Sequence, residues 1–222
     1  MTVFVLLAVV LLVAGCMGSG EDAEVRGETA PNIVQPGAPG EKSRRLTPEE
    51  LEAIEPPRHT AADVRFMQGM IHHHAQALRM TGLVKTRSKR RTIALLARRI
   101  DLSQEAEIEQ MRTWLDERGE EAPELHRPHG HAHGVGAQLM PGMLTEAQMK
   151  RLEGARGLAF DRLFLRSMIR HHEGAVTMVN RLYAGDGGAE PEVDAFARHV
   201  DADQQVEIAR MRELLDGLRA VR

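Results

Sequence analysis

The sequence predicts an all-α fold, a four-helix bundle made of two repeated helical hairpins, each with a short lead-in helix. Three observations carry this prediction. Ala, Leu, Glu, Arg and Met, all good helix formers, dominate the composition, while aromatics make up only 3%. A histidine pair flanked by methionines occurs twice, once in Asp63–Met80 and once in Asp161–Met178. The shared Asp, Phe, Met, Ile, two His, Ala and final Met all keep one offset of 98 residues. Two hairpins supply four long helices, the number that closes a bundle.

Taken in order, the chain opens with an uncharged apolar run, residues 2–15, ending at its single cysteine, Cys16. The run is too short to span a bilayer as a helix. Val13-Ala14-Gly15-Cys16 has the form of a bacterial lipobox, so residues 1–15 read as a lipoprotein signal peptide and Cys16 as the lipidated residue. No Lys or Arg precedes the run. Residues 16–45 are rich in Gly, Pro, Glu and Ser, and read as a flexible tether. The bundle domain is expected over residues 46–222.

Repeat one covers residues 46–118 and repeat two residues 144–218. Each begins with a lead-in helix whose start carries a capping box, Thr47 with Glu50 and Thr145 with Gln148. The His/Met helices follow. Phe66, Met70, His73, Ala77, Met80 and Val84 alternate spacings of four and three, as do Phe164, Met168, His171, Ala175, Met178 and Leu182. That is the inward seam of a bundle helix. His74 and His172 lie on the adjacent stripe and also face mostly inward, whereas His72 lies off the seam and reads as surface. Asp63 and Asp161 open their helices and read as capping carboxylates.

The return helices carry Gln104, Glu107 and Met111 against Gln204, Glu207 and Met211, now at an offset of 100. The two added residues fall in the Gly-rich turn around 184–188. Each seam is apolar at its ends and polar in the middle. Register counting places His171 near Gln204 and Met168 near Glu207. The linker 119–143 holds His126, His129, His131 and His133 among Pro and Gly, and reads as a loop, either a loose metal site or a solvated spacer.

A buried imidazole or carboxylate without a partner costs several kcal/mol, so the polar middles must meet one another or a metal. Two chemistries remain open for them. One is a His–Glu–Gln network that sets register, with Met as core filler. The other is a metal site, since thioether plus imidazole suits soft transition metals and copper(I) above all. The net charge of −3 and the lack of a basic stripe argue against nucleic acid. An enzymatic di-metal oxidase needs Glu-x-x-His on two helices, and no Glu-x-x-His occurs in the chain. No catalytic constellation is found.

The doubled motif, Phe-x-x-x-Met-Ile-x-His-His-x-x-Ala-x-x-Met in the copy at 164–178, resembles the hallmark of the bacterial "domain of unknown function 305" family. The resemblance spans residues 46 to about 218. It implies a ferritin-like four-helix bundle, and the family includes a periplasmic copper-binding protein implicated in copper resistance. By that resemblance Met70, His73, His74, Met80, Met168, His171, His172 and Met178 form the metal-facing set.

The combined expectation is a lipid-anchored extracytoplasmic protein that binds copper, or another transition metal, for sequestration, resistance or transfer. Its partners would be metal ions, the membrane through its anchor, and a copper-accepting protein or a second copy of itself. The rival expectations are a ferritin-like redox enzyme and a metal-free structural or interaction lipoprotein.

Overall fold

The computed structural model describes residues 33–124 and 139–220. It comprises strands β1 (Val34–Gln35) and β2 (Arg44–Arg45) and helices α1 (Pro48–Glu52), α2 (Ala61–Gly82), α3 (Val84–Arg87), α4 (Arg91–Glu117), α5 (Glu146–Gly154), α6 (Gly157–Ala184) and α7 (Pro191–Ala220). Among the described residues the fold is all-α apart from that one strand pair, as expected. Residues 1–15, expected to be a signal peptide, lie outside the described residues, as do Cys16 and the four linker histidines. Among the described residues, no helix is long and apolar enough to cross a membrane.

The chain divides into two compact units at Glu55/Pro56. In the first, β1 and β2 pair antiparallel, Val34 with Arg45 and Gln35 with Arg44. The segment 33–45, read from sequence as the end of a flexible tether, therefore closes a minimal hairpin. Helix α1 follows with both bonds of the expected Thr47–Glu50 capping box, yet it buries no residue.

The second unit is the bundle. Helix α2 packs on α4, α6 on α7, and α2 on α6. Two apolar clusters fill it. One gathers Met80, Ile93 and Ile100 with Phe164, Met168 and Met211; the other gathers Phe66, Met70 and Met111 with Val179, Leu182 and Phe196. The C-terminal part of α2 thus shares a core with the N-terminal part of α6, so these two helices run antiparallel. The short helix α5 seals the first cluster with Met149 and Leu152, and its Thr145–Gln148 capping box forms as expected.

Each hairpin turn is tied to the start of the other half by an aspartate. Asp63 completes a capping box with Thr60 and accepts from the Gly188 backbone N–H at 2.7 Å, which anchors the two-residue insertion of repeat two. Asp161 corrects the sequence expectation. Helix α6 starts at Gly157, one turn earlier than expected, so Asp161 sits inside the helix and pairs with Arg90 at 3.3 Å instead of capping. Both aspartates are buried.

Candidate metal centre

Between the two apolar clusters lies a layer of polar side chains with almost no access to solvent. His73, His74, His171 and His172 are fully buried, with Gln104, Gln204, Glu107 and Glu207 beside them. The heptad-like seams place these residues inward because each seam switches from apolar to polar at the same level. His72 is exposed, as its position off the seam predicts.

The two halves repeat one device. His74 Nε2 lies 2.6 Å from Glu107 Oε2, and His172 Nε2 lies 2.7 Å from Glu207 Oε2. Glu207 therefore meets His172, one turn beyond Met168, where register counting had put it. A carboxylate oxygen can only accept here, so Nε2 donates, and in the neutral imidazole Nδ1 keeps its lone pair. A carboxylate behind an imidazole fixes its tautomer and raises its basicity as a ligand.

The inner pair is arranged differently. The rings of His73 and His171 lie with centroids 3.8 Å apart at 34°. His73 Nε2 donates to the carbonyl of Pro141 at 3.0 Å, whereas neither nitrogen of His171 has a partner. Burial, reinforced by the neighbouring imidazoles, pushes the His73 imidazole down to about 3 and holds His171 well below the ordinary range. Both rings are therefore neutral at physiological pH.

All four Nδ1 atoms are buried and without a hydrogen-bond partner. So are both polar atoms of the Gln104 side chain and the Oε1 atom of Gln204. An internal hydrogen-bonded network would satisfy these atoms, because each buried orphan costs about 1–3 kcal/mol. Neutral imidazoles with free lone pairs are instead the form that binds a soft cation, and the donor set fits one.

The expected methionines are divided between the two ends. Met70 and Met178 border the cluster on one side of the histidines, and Met80 and Met168 border the other. Met70, Met80 and Met168 are fully buried, while Met178 is half-buried. At about 1.5 Å of rise per residue, Met80 lies roughly 10 Å along the axis from His73. The eight residues thus form a strip through the bundle and not one compact cage.

Two features of this region were not read from the sequence. The Pro141–Gly142 backbone inserts against α6 at Gly174, where an added Cβ would stand 2.0 Å from the Pro141 carbonyl oxygen. Glycine inside a helix is unfavourable by about 1 kcal/mol, which was the available signal for a close approach. The second feature is a side-chain trio at the bundle surface. Among the described residues, Glu107, His199 and Asp203 bring three carboxylate or imidazole donor atoms within 4.8 Å of one another.

A family model described as "Domain of unknown function (DUF305)" matches residues 63–215. A DUF305 fragment from Deinococcus radiodurans is 37% identical, with a TM-score of 0.61 over 72% of this chain and 99% of that one. A DUF305 protein from Streptomyces coelicolor, assigned as secreted, is 29% identical, with a TM-score of 0.59 over 71% and 93%. CopM in its Cu(II)-bound form is 27% identical, with a TM-score of 0.55 over 70% and 96%. The same protein solved with Cu(I) gives 27% and 0.53 over the same shares. No curated protein matches. With a repeated Met/His motif, a four-helix core and a match over most of its length, this chain belongs to the DUF305 family.

Proposed function

We propose that this protein is a lipid-anchored, extracytoplasmic copper-binding protein that holds Cu(I) in the bundle interior for sequestration or for transfer to an acceptor. The observation that carries this reading is the set of four buried imidazoles, each with an unpartnered Nδ1. Three of them have Nε2 committed to a carboxylate or a carbonyl, so the free lone pairs belong to Nδ1. Soft thioether sulfurs stand at both ends of the same layer, at Met70 and Met178 and at Met80 and Met168. CopM, which shares the fold, has been solved with copper, and this supports the choice of metal.

Copper bound here would exchange electrons or pass to another ligand set. The chain's own part is to supply neutral donors, exclude water and keep thiols out of an oxidising compartment. The lipobox-like Val13–Cys16 segment supports this location, as does the Streptomyces coelicolor relative assigned as secreted.

The test is a competitive Cu(I) titration of the detergent-solubilised full chain against a chromogenic chelator. A parallel sample carries His73, His74, His171 and His172 changed to Ala, with circular dichroism confirming its helices. Tight stoichiometric binding that disappears in the folded variant is expected. Equal weak binding by both proteins would return the layer to a purely structural role.

A further inference from the structure

The geometry points to a second metal site, at the rim of the interior layer and sharing Glu107 with it, in which Glu107, His199 and Asp203 bind a divalent transition cation at the surface cleft between α4 and α7. His199 Nε2 lies 3.8 Å from Glu107 Oε1 and 3.7 Å from Asp203 Oδ2. His199 and Asp203 are four residues apart on α7, so their side chains share one face. In a tetrahedral zinc site with bonds of 2.0–2.2 Å the donor atoms stand roughly 3.4 Å apart, close to the separations seen here.

A buried oxygen points to a ligand independently of the cluster. The Glu107 side chain is only 3% exposed, and its Oε1 has no hydrogen-bond partner, while its Oε2 is held by His74. One oxygen of a buried carboxylate therefore faces the cleft with no donor in bonding range.

Comparison of the two halves shows what belongs there. At the repeat-equivalent position, Glu207 Oε1 has the Arg99 guanidinium 3.9 Å away. Arg99 corresponds to His199, and Ser103 to Asp203. Half one thus brings a covalently attached cation, Arg99, to the buried carboxylate of half two. Half two instead brings two metal-ligating side chains, His199 and Asp203, to the buried carboxylate of half one, the change expected if the cation there is a bound ion. One imidazole and two carboxylates favour a borderline divalent ion such as zinc over Cu(I), so this site differs from the interior in the ion it selects. Two arginines, Arg98 and Arg99, also line the cleft, with Arg99 directed to Glu207.

Zinc(II) alone is the probe, titrated calorimetrically into the full chain, with bound equivalents counted after dialysis. His199→Arg with Asp203→Ser copies the arrangement of the other half, so the bundle accommodates it. It is expected to lose one equivalent. Arg99→His with Ser103→Asp is expected to gain one, beside Glu207. Should either double variant fail to fold by circular dichroism, His199→Gln replaces it at a solvent-exposed position and is expected to weaken the same step at least tenfold. Wild-type stoichiometry and affinity in folded His199→Arg/Asp203→Ser or in His199→Gln would overturn the site.

Discussion

The two halves of the bundle share a motif but not an environment. In half one, Gln76 occupies the place held in half two by Gly174. The Gln76 amide clasps the Leu144 backbone from both sides, donating to its carbonyl at 2.9 Å and accepting from its N–H at 2.7 Å. Gly174 instead lets the Pro141–Gly142 backbone reach α6, where Gly142 adopts φ of +75°. Arg170 holds the same segment by donating to the Met143 carbonyl at 3.1 Å, and its counterpart in half one is the exposed His72. As a result His73 gains the Pro141 carbonyl as an acceptor and His171 gains nothing. The interior repeats because every inward position must fit the same packed layer. The linker comes once and lies against both helices, so it makes chemically equal histidines unequal.

The largest expected effect strikes the linker seat. Gly174→Ala forces the Pro141 backbone away from α6 and should destabilise the protein by about 3 kcal/mol or more, at the upper end of overpacking costs. Gln76→Ala, which loses two buried backbone contacts, should cost about 2 kcal/mol. Urea denaturation measures both, and equal small effects would mean that the linker is not seated as described.

Acid stability comes next. Between pH 6.5 and about 3 the unfolded chain carries a proton on His73 that the folded chain refuses. The unfolded state binds more protons there, so stability rises with pH. The contribution is complete above about pH 6.5 and is lost as pH falls toward 3, with a slope of about 1.4 kcal/mol per unit per proton. His171 acts in the same direction. His73→Gln or His171→Gln should therefore flatten the acid limb of the urea midpoint relative to wild type, and parallel curves would refute this account.

The smallest effect separates the two lead-in helices. Thr145→Ala removes the cap of α5, whose Met149 and Leu152 are buried, and should lower the bundle's melting free energy by about 1 kcal/mol. Thr47→Ala removes the same box from α1, which buries nothing, and should leave the bundle's thermal transition where it was. A shift of the transition with Thr47→Ala would show that α1 contributes to the bundle.

The sequence by itself determined the helical class, the two capping boxes, the inward seams and the burial of His73, His74, His171 and His172. These follow from periodicity and end signals, which depend on residues close together in the chain. It also separated the surface residue His72 from its buried neighbours. Tertiary structure alone decided which carboxylate meets which histidine. Register between α6 and α7 is set by side-chain packing, and one helical turn separates Met168 from His172. It likewise placed Asp161 on Arg90, Pro141 against His73, and His199 beside Glu107. Together with the two His–Glu pairs, these contacts join residues 33 to 92 apart in the chain. Their signals in the sequence were single departures from the repeat, Gly174 for Gln76 and His199 for Arg99. A departure marks where two halves differ, but only the folded chain supplies the neighbour that gives the difference its chemistry.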